Sequence, residues 1–135
     1  MYIKTKIISK TRQVFGQTYY LYDNCSKYIL SINFPPSTSS SQPYAHDTII
    51  RTVAGMGGKI AGIRIYRYQN KTEWFYAYLI IRLDNDLIEI NISCEDALKI
   101  ALHEKLPIWV QNKILNSVGI KITKSLLESS LNHPI

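Results

Sequence analysis

The stretch Trp74 to Leu83 (Trp-Phe-Tyr-Ala-Tyr-Leu-Ile-Ile-Arg-Leu) constrains this chain more than any other. Successive side chains of a strand point to opposite faces of its sheet, so a strand that is apolar at both parities needs cover on both sides. It therefore reads as a central strand. Lys59 to Tyr68 reads as a second long strand, joined to the first by the polar turn Gln69 to Glu73. After Asp84-Asn85-Asp86, Leu87 to Ile92 makes a third, with Ile88, Ile90 and Ile92 on one face and Glu89 and Asn91 on the other. Strict alternation along Lys59 to Tyr68 puts Tyr66 and Tyr68 opposite Ile63 and Ile65.

The flanking sequence supplies the remaining elements. Met1 to Ser9, Val14 to Tyr22 and Tyr28 to Phe34 are rich in β-branched and aromatic residues and read as strands. Pro35 to Pro43, dominated by proline and serine, suits a solvated loop. Asp47 can cap a helix with Ile49, Ile50, Val53 and Met56 at helical spacing, stopped by Gly57-Gly58 and packed on the sheet through Ile50 and Val53. Ser93 and Asp96 approximate a capping box before a helix with Ala97, Leu98, Ala101 and Leu102 inward. Pro107 to Val110 reads as a short buried strand, and Asn112 to Val118 and Thr123 to Asn132 as terminal helices. The expected fold class is α+β, a largely antiparallel sheet with helices packed on it.

A chain of 135 residues, 46% hydrophobic and 19% charged, can fill one core, so a single domain is expected rather than a disordered chain. The net charge of +6 permits a polyanionic partner. The charge runs in blocks: Arg51, Lys59, Arg64, Arg67, Lys71 and Arg82 face only Glu73, and an acidic stretch from Asp84 to Glu104 follows. Blocks of this kind suit solvated faces or subunits of complementary charge better than one continuous nucleic-acid track. Cys25 and Cys94 lack the paired spacing of a zinc site and are too few for a disulfide scaffold, with one bridge left open. No apolar run approaches the roughly 20 residues that span a bilayer, and the expectation is a soluble cytoplasmic protein with no membrane partner.

Generic catalytic motifs are missing. Gly55-Met56-Gly57-Gly58-Lys59 fails as a phosphate loop because Ile60 follows the lysine and the glycines follow a helix. A more informative pattern runs in order through His46-Asp47, Met56-Gly57-Gly58, Phe75-Tyr76-Ala77, Ile90 to Ala97 and Pro107-Ile108-Trp109-Val110. Together these five motifs resemble the bifunctional nuclease domain family over about Pro43 to Ile120. The resemblance implies that family's fold and an activity on RNA or DNA, as described for plant relatives. Where the family carries Asp-Ala-Arg-Pro-Ser-Asp, this chain has Asn91-Ile92-Ser93-Cys94-Glu95-Asp96, so one carboxylate and one guanidinium are replaced.

On that basis His46, Asp47 and Asp96 are the candidate catalytic residues: an imidazole for proton transfer, and carboxylates to orient water or a divalent cation. The alternative for each carboxylate is structural, as cap or dipole partner at a helix start. Glu89 and Glu95 join Asp96 as candidate ligands for a divalent cation. Arg64, Arg67 and Tyr66 are candidates for nucleic-acid binding, by phosphate contact and base stacking, against the alternative that strand aromatics pack in a core or subunit interface. Two functions follow: a nuclease hydrolysing phosphodiester bonds in RNA or DNA, or a noncatalytic homo-oligomeric module, most simply a dimer, binding nucleic acid or protein.

Overall fold

The computed structural model describes residues 1–13, 16–23, 25–35 and 45–123. In chain order these form β1 (Tyr2–Gln13), β2 (Gly16–Asp23), β3 (Tyr28–Phe34), α1 (Ala45–Gly55), β4 (Lys59–Gln69), β5 (Trp74–Leu83), β6 (Asp86–Ser93), α2 (Cys94–Glu104), β7 (Ile108–Gln111), α3 (Asn112–Val118) and β8 (Ile120–Lys121). The helix expected over Thr123 to Asn132 lies outside the described residues beyond Thr123 itself, as does most of the Pro/Ser loop. The fold is α+β. Its eight strands run in the order β6-β5-β4-β7-β1-β2-β3-β8, and β4 and β7 form the one parallel pair among them.

Hairpin geometry accounts for most of this order. β4 and β5, and β5 and β6, are antiparallel neighbours joined by tight turns, with Glu73 (φ 58°) and Asp84 (φ 57°) in left-handed backbone. Asp tolerates that conformation better than most residues because its short side chain bonds locally. The β2–β3 turn is built around Asp23, which is 5% exposed. Its carboxylate accepts from the amides of Cys25 (3.2 Å) and Ser26 (3.1 Å) and from the Ser26 hydroxyl. β1 continues four residues past the expected Ser9, because Lys10 to Gln13 pair with Tyr19 to Gly16. A hydrogen-bonding partner strand overrides the weak strand propensity of Lys-Thr-Arg-Gln. The first four residues of the same strand, Tyr2 to Thr5, pair with β7, so β1 links the two halves of the sheet.

The buried residues gather in one cluster: Tyr19, Leu21, Leu30 and Ile32 from β2 and β3, Ile63 and Ile65 from β4, Ala77, Leu79 and Ile81 from β5, and Ile108 and Val110 from β7. α2 contributes Cys94, Ala97, Leu98, Ile100 and Ala101, and touches β4 and β5. α1 contributes Val53, with Ile50 packed at the margin. Leu102, expected inward, is 43% exposed, and Met56, expected within the first helix, is 62% exposed. The buried stripe of α2 extends to Ile100; at 100° per residue, this leaves Leu102 on the opposite shoulder of the helix. Met56 lies beyond the end of α1, where the chain turns at Gly57 (φ 81°).

β5 is paired on both sides, by β4 and β6, and lies one strand in from the sheet edge. Both cysteines are free, Cys25 exposed and Cys94 buried, so the bridge left open by the sequence is not formed. Among the described residues no helix is long and apolar enough to cross a membrane.

Candidate nucleic-acid interface

The pleat of β5 sends Ala77, Leu79 and Ile81 into the core and Tyr76, Tyr78 and Arg82 to the outer face of the sheet. On β4 the alternation is interrupted. Ile65 pairs with Ala77 and Arg67 with Tyr76, which leaves Tyr66 as an extra residue in a β-bulge. One added residue inverts the phase of everything after it. Tyr66 and Arg67 therefore both reach the outer face, while Tyr68 pairs with Phe75 and returns to the core side, its ring 4.6 Å from that of Phe75. The expectation that Tyr68 shares a face with Tyr66 is thereby corrected.

The outer face carries an aromatic and cationic surface. The Tyr66 and Tyr78 rings stack at 4.1 Å and 17°, with Tyr76 6.3 Å from Tyr66. The Tyr66 hydroxyl donates to Asn91 Oδ1 at 2.9 Å, which fixes its ring across β5 to β6. Desolvation by its surroundings, then the Tyr78 phenol, raises the Tyr66 pKa. The Arg67 guanidinium sits 5.3 Å from the Tyr76 centroid, and that of Arg64 4.8 Å from Tyr2. Arg64 also forms an ion pair with Glu89. Beside this cluster, Tyr2, Arg64, Arg82 and Trp109 line a hollow of about 400 Å³. The indole lies close over the backbone at Gly62, where a Cβ would come within 2.4 Å of Trp109 Cζ3 and 2.9 Å of the Pro107 carbonyl oxygen. Sequence reasoning found Arg64, Tyr66 and Arg67 but missed Tyr2 and Trp109, which are far apart in the chain and share this face only through β7.

The candidate catalytic residues stand elsewhere. α1 begins at Ala45, so Asp47 occupies its first turn rather than the cap position, favourable to the helix dipole and 3.8 Å from Arg51 one turn on. The side chain of His46 lies outside the described residues. Ser93 is the N-cap of α2: its hydroxyl accepts from the Asp96 amide (3.2 Å) and donates to Asp96 Oδ2 (2.7 Å), so Asp96 is held at the cap, while the second bond of a full capping box, from the Ser93 amide, is replaced by one from its hydroxyl. An apolar groove of about 310 Å³ lies between α1 and the β5–β6 hairpin, lined by Thr48, Ile49, Ile88, Ile90 and Asn91 among others, and Asp47, Glu95 and Asp96 are not among its lining residues. The three candidate cation ligands are engaged separately: Glu89 by Arg64, Glu95 by Lys99 at 3.4 Å and Asp96 by Ser93. Among the described residues no three His, Cys, Asp or Glu side chains gather as a metal site.

A model of the bifunctional nuclease domain matches residues 30–123, well over half of the chain. The chain belongs to the bifunctional nuclease domain family. The match begins at Leu30, so the family's domain takes in most of β3, upstream of the segment whose motifs are legible by eye. It spans α1, the β4–β5–β6 unit and α2, and therefore both the aromatic face and the two helix entries. No curated protein matches the sequence significantly.

Proposed function

We propose that this family member binds single-stranded RNA or DNA across the outer face of β4, β5 and β6. The observation that carries this reading is the stacked Tyr66–Tyr78 pair flanked by Tyr76 and Arg67. Aromatic planes at a sheet surface stack on bases irrespective of sequence, and guanidinium groups beside them meet the phosphates, which is the chemistry single-strand binders use. Arg67 and Arg82 are exposed there, and Lys59 stands at the same edge opposite Arg82, so the face can supply cations to a polyanion.

Phosphodiester hydrolysis is the second reading, favoured by the family. His46 would serve as the proton-transfer group and Asp47 and Asp96 as its polar partners. A divalent cation there would need carboxylates released from Arg51 and Ser93. The protein acts in this reading as a single domain in the cytoplasm.

Fluorescence anisotropy with labelled single-stranded RNA and DNA tests the binding. Tyr66→Ala is expected to weaken it about tenfold, in line with ~1–3 kcal/mol per stacked base. Unchanged affinity in Tyr66→Ala and in Arg67→Ala would reject this face. A gel assay with and without chelator tests cleavage, and cleavage that persists in a His46→Ala, Asp96→Ala double variant would belong to a contaminant.

A further inference from the structure

The edge strand β6 is unusual for a sheet margin. It pairs with β5 over its full eight residues, from Leu83–Asp86 to Tyr76–Ser93, with no bulge, and among the described residues nothing pairs with its other side. Every residue of it except Ile92 is exposed. Its sequence, Asp-Leu-Ile-Glu-Ile-Asn-Ile-Ser, contains no proline, lysine or arginine. Natural edge strands are blunted by shortness, bulges, proline or lysine, because a long regular edge is a template for another strand. The opposite margin of this sheet, β8, has only two residues. Ile88 (39% exposed) and Ile90 (46%) also form the outer wall of the apolar groove whose other wall is α1. Edge and groove thus leave the same strand unfinished in two directions.

We infer that β6 is the interface with a second copy of this chain, pairing antiparallel with its own counterpart about a two-fold axis at Ile90 and continuing the sheet across both protomers. The identity of the occupant follows from self-complementarity. Opposed residues in an antiparallel pair share a face, so a two-fold axis normal to the sheet must pass beside one residue and its own copy. Centred on Ile90, the register sets Ile90 against Ile90 of the partner subunit, Ile88 against the partner's Ile92, Glu89 against the partner's Asn91 and Leu87 against the partner's Ser93. Isoleucine meets isoleucine on the groove side, and no like charges meet on the other. Centred on Glu89, the two carboxylates would oppose each other, which is destabilising. The one charge in the middle of the strand is already neutralised, since Glu89 is paired with Arg64 of its own chain. The axis also keeps both outer faces on the same side, so the two tyrosine-arginine surfaces form one platform. The dimer does not depend on that surface binding nucleic acid.

Sedimentation at micromolar concentration is expected to give a species of twice 15.5 kDa that dissociates on dilution. Ile90→Lys, which places two ammonium groups face to face, is expected to weaken the dimer about tenfold or more with the circular dichroism spectrum unchanged. Ile90→Cys in a Cys25→Ser background is expected to form an intermolecular disulfide under mild oxidation, and Leu87→Cys in the same background is not, because position 87 faces position 93. The disulfide variant decides the matter if the lysine variant fails to fold. A wild-type monomer at 100-fold higher concentration, or a dimer in which Ile90→Cys does not cross-link, overturns the inference.

Discussion

Asp23 carries more of the β2–β3 hairpin than its polarity suggests. Burial by itself would raise its pKa, but the Ser26 hydroxyl, the amides of Cys25 and Ser26, and Lys27 outweigh it and hold the carboxyl below its ordinary value. A carboxyl depressed on folding stabilises the protein above its unfolded pKa, about 3.9, and that stabilisation is lost as pH falls through the lower folded value. Asp23→Ala should therefore cost about 1–3 kcal/mol at neutral pH and less below pH ~4, read from urea unfolding at both pH values. Tyr19 presents the opposite case. Its phenol is pushed up to about 12 by burial, with Glu95 adding, and its hydroxyl has no partner among the described residues. Tyr19→Phe keeps the ring in the core and removes an unpaired polar atom, so stability should stay within ~0.5 kcal/mol of wild type or rise. A loss of more than ~1 kcal/mol would mean the hydroxyl is bonded.

At the scale of elements, the Ser93 cap of α2 and the bulge of β4 do different work. Ser93→Ala removes both hydroxyl bonds to Asp96 and is expected to cost about 1 kcal/mol, a thermal shift of a few degrees, without altering the outer face. The bulge sets that face. Gly62 matters in a similar way, because a methyl group there would displace the Trp109 ring and press on the Pro107 carbonyl oxygen. Gly62→Ala is therefore expected to destabilise by about 1–3 kcal/mol and to shift indole fluorescence, the range seen when extra atoms are forced into a packed site. An unshifted emission spectrum would show that the indole does not depend on the bare backbone at Gly62.

For the whole molecule, the arrangement of charge matters more than its total. The net +6 is a weak guide by itself, since Arg64 is tied to Glu89, Lys99 to Glu95 and Arg51 to Asp47. Lys59, Arg67 and Arg82 are exposed along β4 and β5, and three phosphate contacts on a single strand correspond to a slope of about −2 in log affinity against log salt. A titration of binding against salt measures this directly. A slope near zero would exclude phosphate contact by this face, and Arg82→Ala should flatten the slope by about 0.7.

The α+β class, the strand at Trp74 to Leu83, the hairpin that follows it and the Ser93–Asp96 cap were all legible in the sequence, because each rests on local periodicity or on partners three residues apart. So was the family, whose motifs keep their order along the chain even where Asn91 and Ser93 replace its usual residues. The facing of Tyr68 was not, since one bulged residue inverts the alternation and nothing in the local pattern of Lys59 to Tyr68 marks where it falls. Nor was the company of Tyr2 and Trp109, which are brought beside Arg64 by the parallel pairing of β4 with β7 and the antiparallel pairing of β7 with β1. The separate engagement of Glu89, Glu95 and Asp96 was equally hidden, for a carboxylate's partner is chosen by whichever cation or cap lies within reach after the chain has folded. Among the described residues, sequence decided where most strands and helices fall; tertiary structure decided how far β1 extends and which side chains meet, because pairing register and sheet order are set by contacts between residues far apart in the chain.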